Sequence, residues 1–210
     1  MPFPTQDLPL FPLQSVLFPG GRLALKIFEA RYLDLISRCL REGTGFGVVG
    51  LSQGSEVLQP SQAGQPVRFE PVGVLARLQA AEAEGTNLLK IWCEGGPRFK
   101  LLGDAVQQQG LWVAPQVAWL DDDLPTPPGD RFAEAAAALG RALDALEAMQ
   151  PPVPALAQTP RRLDDAGWVA NRWCELLPIS RVAKQKLMEL DEPLTRLGLV
   201  DDFLRKQKVI

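Results

Sequence analysis

The sequence contains no histidine, and this absence removes several classes of enzyme. Catalysis by Ser-His-Asp or Cys-His groups needs an imidazole, as do most zinc sites of metallopeptidases. The three cysteines, Cys39, Cys93 and Cys174, are far apart and never form a C-x-x-C pair. This spacing is typical neither of a disulfide framework nor of a thiolate metal site, so we expect reduced, mostly buried thiols. We predict no metal and no cofactor.

The chain also lacks a basic cluster, a long apolar run and an export signal. Its 22 basic and 25 acidic residues give a net charge of −3, and no group of lysines and arginines is long enough to follow a phosphate backbone. No apolar run approaches the roughly 18 residues that a membrane-spanning helix needs. The first residues show no basic stretch followed by an apolar core. We therefore expect a soluble, cytoplasmic protein that binds neither nucleic acid nor membranes.

Residues 8 to about 120 show mainly a period of two, interrupted by glycine and proline, which indicates many short strands. Between residues 23 and 27, for example, leucine or isoleucine alternates with alanine and lysine. Further strands are predicted at 72–80, 88–93, 99–102 and 111–117, with a hairpin turn at 84–87. Together they indicate a curled, antiparallel sheet.

One helix interrupts the predicted sheet. Leu33, Ile36 and Leu40 recur at helical spacing, and Gly43 follows where a left-handed C-terminal cap is expected. The run GFGVVG at 45–50 then matches the G-x-G-x-x-G pattern of dinucleotide-binding folds. In those folds the glycines follow a strand and open a helix, whereas here they follow a helix and alternate with strand-forming residues. We therefore predict a closely packed strand at 45–50 rather than a nucleotide site.

A proline-rich segment divides the chain. Residues 121–130 combine three consecutive aspartates with three prolines, a composition typical of a linker. Beyond it the pattern changes to that of helices, predicted at about 131–149, 164–177, 180–190 and 193–206. We therefore predict a β-rich subdomain over residues 1–122 and a helical subdomain over residues 130–210.

Two sets of residues are weak candidates for catalysis. Ser180 and Lys184 are four residues apart at a predicted helix start, a spacing that suits a serine nucleophile with a lysine base. Ser180 also suits an ordinary N-cap, and an exposed lysine keeps too high a pKa to act as a base. The aspartate pairs at 164–165 and 201–202 suit solvated helix starts better than a metal site, because neighbours on a helix point about 100° apart. A hydrolase with an unrecognised site is the least favoured interpretation.

Short motifs follow one another along nearly the whole chain. They include LPLFPL at 8–13, VLFPG at 16–20, LALKIFEARY at 23–32, GTGFGVVG at 43–50, GGPRF at 95–99 and WVANRWCELLPIS at 168–180. These motifs resemble the N-terminal domain of the ATP-dependent Lon protease, and still more closely the stand-alone bacterial proteins made of that domain only. Leu75 departs from the pattern, because the family usually has threonine there.

The resemblance implies an α+β fold, a PUA-like β-barrel followed by a small helical bundle. It also implies a non-catalytic protein-binding role, because the ATPase and Ser-Lys protease modules of Lon have no counterpart among these residues. The expected partners are exposed or unfolded segments of client proteins, or a separate protease or ATPase, and self-association is left open. The alternative is an RNA-binding PUA-like module, which the acidic composition disfavours.

Six residues are candidates for contact with a peptide or partner: Phe18, Phe28, Arg31, Tyr32, Trp92 and Arg98. The Phe-Pro-Gly turn at 18–20 and the helix start at 28–32 would offer an apolar edge to an extended peptide, held largely by main-chain hydrogen bonds. The competing interpretation is structural, with both phenylalanines inside the barrel and Arg31 satisfying neighbouring polar groups. No catalytic, cofactor-binding or metal-binding residue is predicted.

Overall fold

The computed structural model describes residues 6–53, 67–85, 87–149 and 160–210. The chain divides into two compact units, Met1–Asp121 and Asp122–Ile210. In the described ranges the first unit is built mainly from strands and the second from helices. None of the described helices combines the length and the apolar composition that a membrane crossing requires.

The first unit contains eight strands and one α-helix in the part of the chain that the structure describes. In chain order they are β1 (Gln6–Leu13), β2 (Arg22–Ile27), α1 (Ala30–Glu42), β3 (Phe46–Gln53), β4 (Arg68–Phe69), β5 (Val72–Gly85), β6 (Leu88–Leu101), β7 (Val106–Gln108) and β8 (Leu111–Trp119). Five of these strands close into a barrel in the order β6-β5-β3-β1-β8, because β8 returns to pair with the end of β6. The remaining strands extend this wall: β2 on β6, β7 on β8 and β4 on β3.

The predicted barrel with an inserted helix is therefore confirmed, but one pair of strands differs from the expected antiparallel sheet. Strands β1 and β3 run parallel, with Leu10 opposite Gly47. A parallel pair needs a long crossover between its strands, and β2 and α1 provide it here. The other pairings among the described strands are antiparallel.

Strand β6 is one continuous strand of 14 residues, whereas the sequence pattern predicts two strands at 88–93 and 99–102. The glycines and proline at 95–97 remain in the strand because β5 compensates with register shifts between Val74 and Ala76 and between Leu78 and Ala80. Such bulges bend a strand and increase its twist. One strand can therefore form both part of the closed barrel and the outer wall that carries β2. Thr86, in the predicted turn between β5 and β6, lies outside the described residues.

The run of glycines at 45–50 packs against the barrel core. A Cβ atom on Gly47 would lie 2.7 Å from Cζ of Phe99, and one on Gly45 would lie 2.4 Å from the carbonyl oxygen of Ala76. Phe99 is fully buried within a cluster of apolar side chains from β1, β3, β5 and β8. The second and third glycines of the run lie inside β3, so these residues form a strand and not the loop that opens a nucleotide-binding helix.

Helix α1 ends as predicted, because Gly43 has a φ of 65° and its N–H donates to the carbonyl of Cys39. Its buried face consists of Tyr32, Leu35, Ile36 and Cys39. The predicted apolar stripe included Leu40, which is 53% exposed. Adjacent helical residues point about 100° apart, so a face that buries Cys39 leaves Leu40 on the outer side.

All three cysteines are free and buried, as expected. Burial raises the pKa of the Cys93 and Cys174 thiols to about 12. Burial also raises the pKa of Cys39, whose thiol donates to the carbonyl of Gly45. Buried, protonated thiols are poor nucleophiles, so their environment indicates a packing role.

The second unit contains, among its described residues, a 3-10 turn (Asp130–Phe132) and four α-helices. These are α2 (Ala133–Met149), α3 (Ala166–Leu176), α4 (Arg181–Glu189) and α5 (Pro193–Lys206). Ser180 caps α4, because its hydroxyl accepts a hydrogen bond from the N–H of Ala183 at 3.2 Å. Lys184 donates to the carbonyl of Glu175 at 3.0 Å. The local hydrogen bonds therefore support the N-cap interpretation of Ser180 rather than a pairing of its hydroxyl with Lys184.

A buried arginine connects several segments of this unit. Arg196 of α5 is 1% exposed. Its Nη1 lies 2.6 Å from Oδ2 of Asp123 and 3.0 Å from Oδ1 of Asn171 in α3. Its other N–H groups donate to the carbonyls of Leu187 and Leu190 at the end of α4. The segment that the sequence assigns to a linker is thus irregular in backbone and, at Asp123, bonded to the helices.

Candidate functional site

The candidate site is the outer edge of β2, together with the turn that precedes it and the helix start that follows it. In the strand order of the sheet β2 is terminal, and among the described strands only β6 pairs with it. We call the outward side of residues 22–27, with Phe28 directly after them, the β2 edge. A strand with one unpaired side presents a row of main-chain donors and acceptors.

The turn before β2 is fixed by its sequence. Pro19 and Gly20 occupy its two central positions, Gly20 has a φ of 67°, and the N–H of Gly21 donates to the carbonyl of Phe18 at 2.8 Å. Proline followed by a glycine with positive φ is typical of a type II turn. The turn is attached to β6 because the N–H of Gly20 donates to the carbonyl of Gly95 at 2.7 Å. A Cβ on Gly95 would lie 2.1 Å from the carbonyl oxygen of Phe18, so this approach requires glycine.

The pairing with β6 decides which main-chain groups of β2 point outward. The antiparallel register is unbroken along the strand. Gly21 and Gly95 form the residue pair directly before β2, and there the N–H of Gly95 donates to the carbonyl of Gly21 at 2.8 Å. Bonded and non-bonded pairs alternate in an antiparallel ladder, so the odd-numbered residues of β2 bond to β6. The N–H and C=O groups of Arg22, Ala24 and Lys26 therefore point to the outer edge.

One side of β2 is apolar and only partly covered. Leu23 and Leu25 are half-buried, while Ile27 is 2% exposed. Ile27 pairs with the half-buried Leu89 of β6, so the apolar surface continues onto the neighbouring strand. Phe28 follows directly and is 60% exposed. Adjacent half-exposed apolar residues beside an open edge are typical of a binding surface.

The other side of β2 carries charge. Arg22 and Lys26 are both exposed there. Lys26 forms an ion pair with Glu84 of β5, with Nζ 2.7 Å from Oε2, and Nζ of Lys90 lies 3.9 Å from Oε1 of Glu84. The hydrogen bond from Lys26 lowers the pKa of the Glu84 carboxyl group. Arg22 makes no ion pair with a residue in the described ranges.

The helix start is held by Arg31. Its Nε donates to Oε2 of Glu29 at 2.9 Å, and its Nη1 donates to the carbonyl of Gly110 at 2.8 Å. The guanidinium group also lies 4.4 Å from the ring centroid of Tyr32, which stacks on Phe11 of β1 at 4.2 Å. Arg31 and Tyr32 therefore attach the start of α1 to β1 and to the turn between β7 and β8.

The structure separates the six predicted contact residues by exposure. Phe28 is exposed and Arg31 is half-buried. The other four are buried: Phe18, Tyr32, Trp92 and Arg98 are 0%, 3%, 6% and 3% exposed. Their contact role stays a prediction, and Phe28 is the one whose side chain is widely open to a partner.

The buried members still shape the site. The Phe18 carbonyl belongs to the turn before β2. Trp92 pairs with Ala24 across the ladder and lies under Lys90, whose Nζ is 4.8 Å from its ring centroid. Arg98 is farther along β6, and its Nη2 donates to the carbonyl of Asp121 at 3.2 Å.

The sequence pattern predicted the alternation in β2, but it did not identify Leu23, Leu25, Arg22 and Lys26 as candidates for contact with a partner. One signal could have found them. A type II turn precedes β2 and a helix follows it, so neither chain neighbour is a strand that forms a hairpin with it. A strand without hairpin partners is more often left at the edge of a sheet.

The helical unit contains an open groove of about 660 Å³, lined by residues that include Pro127, Pro128, Phe132, Leu194, Leu199 and Asp202. Its walls are formed by helices and by an irregular, proline-containing segment, and not by the edge of a sheet. Within the described ranges, no three His, Cys, Asp or Glu residues converge on a point where a metal ion could bind.

Comparisons with known proteins agree with this architecture. The family model of the ATP-dependent protease La (LON) substrate-binding domain matches residues 7–206. The crystal structure of a Lon N-terminal domain protein from Xanthomonas campestris is similar over 92% of this chain and 96% of that one, with 30% identity and a TM-score of 0.69. The N-terminal domain of Mycobacterium avium complex Lon protease is similar over 94% and 97% of the chains, with 16% identity and a TM-score of 0.59, which supports the fold alone. A search of curated proteins found no match.

Proposed function

The chain belongs to the family of the Lon protease substrate-binding domain, and from this we propose that it is a non-catalytic domain that binds extended segments of client proteins along its β2 edge. The bound segment becomes an added strand next to β2. This mode requires no reactive side chain and no cofactor in the site.

The observation that carries the proposal is the outward direction of the main-chain groups of Arg22, Ala24 and Lys26. An antiparallel guest strand opposite them would form about six hydrogen bonds, each with a net contribution of about 0.5–1.5 kcal/mol. Association and ordering of the guest offset much of this gain. We therefore expect weak binding, with dissociation constants on the order of 10–100 µM.

The same geometry explains why unfolded segments would be selected. In a folded protein most main-chain N–H and C=O groups already have partners, and the rows that remain at sheet edges are commonly short, bulged or covered, so a folded surface seldom has a complete row to offer. An extended, exposed segment of an unfolded protein does have a complete row of unpaired N–H and C=O groups. Apolar contacts with Leu23, Leu25 and Phe28 then add to the main-chain bonds, which makes specificity broad rather than strict.

We further propose that the chain acts with a separate protease or ATPase in the cytoplasm. In the Mycobacterium avium complex relative, the matched domain is the N-terminal domain of a Lon protease. By analogy, a client held at the β2 edge would be handed to a partner that cleaves or unfolds it. The binding step itself breaks no bond.

Main-chain pairing can be tested with three labelled peptides of identical side chains. One is unmethylated, one carries N-methyl groups on every second amide, and one carries them on all amides. Binding to the full chain is measured by fluorescence anisotropy. The first two peptides each keep a complete row of donors, so we expect affinities within about threefold, whereas the third should lose binding. Equal binding of all three peptides would reject an added strand.

A protein variant tests the same point from the other side. Ala24→Pro removes one outward N–H, and proline is tolerated on an edge strand when its nitrogen faces solvent. We expect peptide affinity to fall by about three- to tenfold. Ala24→Val is the matched control, because it keeps the N–H and favours a strand. Equal affinities of the two variants, at unchanged thermal stability, would count against the proposal.

A further inference from the structure

We propose that the β2 edge selects segments in which apolar residues alternate with acidic residues, an inference that rests on the proposed function. The carrying observation is the chemical difference between the two sides of β2. Leu23 and Leu25 lie half-buried on one side, and Arg22 and Lys26 lie exposed on the other. A guest strand has the same period of two, so it presents alternate side chains to these two sides.

The apolar positions of the guest are set by the hydrogen-bond pattern. In an antiparallel guest, the residues opposite Arg22, Ala24 and Lys26 form the bonded pairs, and those opposite Leu23 and Leu25 form the non-bonded pairs. Non-bonded pairs bring Cα atoms to about 4.5 Å and side chains closer together than bonded pairs do. The closest side-chain contacts therefore fall on the two leucines, which favours apolar guest residues at every second position.

The intervening positions of the guest face positive charge. Side chains directly opposite one another on neighbouring strands are about 5 Å apart, which places guest residues next to Arg22 and Lys26. Lys26 shares the carboxylate of Glu84 with Lys90, at Nζ–O distances of 2.7 Å and 3.9 Å, so these two ammonium groups and one carboxylate keep one net positive charge. Arg22 lies opposite Glu94 of β6 but makes no ion pair with a residue in the described ranges, so its guanidinium group adds positive charge beside the guest. Acidic guest residues are favoured there, and basic ones are repelled.

A competing explanation exists for these two cations. Lysine and arginine on an edge strand commonly prevent the edges of two copies from pairing. In that case the charges would keep the edge clear and would not select among guests. The two explanations predict different responses to the charge of the guest, and they can be separated by measurement.

The test uses capped ten-residue peptides in which valine alternates with glutamate, glutamine or lysine. A fourth peptide has the composition of the first but groups its valines and glutamates in two blocks. Binding to the full chain is measured by fluorescence anisotropy at physiological salt. We expect the alternating glutamate peptide to bind about five- to tenfold tighter than the glutamine peptide and the lysine peptide to bind weakest. The block peptide should bind at least about threefold more weakly than its alternating counterpart, since the blocks cannot match both sides of β2.

Charge reversal on the protein completes the test. In the double variant Arg22→Glu/Lys26→Glu the order of the glutamate and lysine peptides should reverse, while affinity for the glutamine peptide, an internal control for folding, stays within about twofold. The matched control Lys100→Glu/Arg141→Glu changes net charge equally at two exposed positions outside the β2 edge and should keep the original order.

The outcomes separate the two proposals. If the three alternating peptides bind equally, or if their order does not reverse in the edge variant, the selection of acidic residues is wrong while strand addition stands. If the block and alternating glutamate peptides bind equally, attraction depends on net charge alone and the alternation is wrong. If none of the peptides binds, the proposed function itself fails.

Discussion

The carbonyl oxygen of Gly21 accepts a hydrogen bond from the backbone N–H of Gly95 at 2.8 Å. This bond precedes the ladder between β2 and β6 and sets which groups of β2 face outward. Gly95 has no room for a side chain, because a Cβ would lie 2.1 Å from the Phe18 carbonyl oxygen. The orientation of the β2 edge thus depends on a glycine of the neighbouring strand.

Substitution of Gly95 should therefore damage both stability and binding. In Gly95→Ala the added methyl group meets main-chain atoms that cannot rotate away, and we expect the free energy of unfolding to fall by about 1–3 kcal/mol. Gly103→Ala is the matched control, since a Cβ there meets no atom within 4 Å. Urea denaturation should show the control within about 0.5 kcal/mol of the unmodified protein. Equal stability of the two variants would contradict the close approach.

Phe28 and Arg31 lie three residues apart and should respond in opposite ways. Phe28 is 60% exposed, so Phe28→Ala should weaken peptide binding by about three- to tenfold at nearly unchanged stability. Arg31 is bonded to Glu29 and to the Gly110 carbonyl, so Arg31→Ala should lower the free energy of unfolding by about 1–3 kcal/mol and leave peptide affinity within about twofold.

Two exposed positions provide the controls for this pair. Leu102 is 55% exposed and directly follows the C-terminal end of β6, whereas Leu89 lies near the N-terminal end of that strand. Leu102→Ala should not change peptide binding. Arg41→Ala removes a side chain that is 70% exposed and should not change stability by more than about 0.5 kcal/mol. A loss of binding in Leu102→Ala equal to that in Phe28→Ala would show that exposed apolar residues contribute without regard to their position.

The ion pair between the buried Arg196 and the partly buried Asp123 provides a separate prediction. Arg196→Met leaves the carboxylate of Asp123 without its guanidinium partner. We expect the free energy of unfolding of the helical unit to fall by about 3–5 kcal/mol. The double variant Arg196→Met/Asp123→Leu removes both charges and should recover part of that loss. Arg141→Met on the exposed side of α2 is the control. Circular dichroism at 222 nm during denaturation measures the free energy of unfolding. Equal values for Arg196→Met and for the control Arg141→Met would contradict the prediction.

The buried thiols predict a loss of stability at alkaline pH. Burial raises the pKa of Cys93 and Cys174 from 9.0 to about 12, so the native state keeps protons that the unfolded state releases above about pH 9. The contribution of these thiols to the free energy of unfolding is fully present below pH 9 and declines between pH 9 and 12. At pH 10 the loss is about 1 kcal/mol per thiol. Cys174→Ala should reduce the slope of unfolding free energy against pH in this window. An unchanged slope would mean that the thiol does not contribute.

Local structure could be predicted well where one residue determines it. Gly43 ends α1 because it adopts a positive φ, and Ser180 caps α4 through its hydroxyl. The alternation along β2 likewise identified a strand with two different sides. In each case the signal lies within a few residues, and it does not depend on what packs against the segment.

Features that depend on distant partners could not be predicted in the same way. The parallel pairing of β1 with β3 and the continuity of β6 through residues 95–97 depend on how the sheet closes. The burial of Arg196 depends on Asp123, which is 73 residues away in sequence. The same limit applies to the candidate site: periodicity predicts that β2 is a strand, but only the complete strand order shows that one of its edges has no partner among the described strands.

Amide hydrogen exchange at β2, followed residue by residue by NMR, tests the central claim most directly. In the free protein the N–H groups of Arg22, Ala24 and Lys26 should exchange rapidly with solvent, and those of Leu23, Leu25 and Ile27 should be protected by β6. Saturation with the alternating valine-glutamate peptide should slow exchange at the first three amides by about tenfold or more and leave the other three unchanged. Strong protection of the outward amides in the free protein, or protection by the peptide of another segment instead, would contradict binding at the β2 edge.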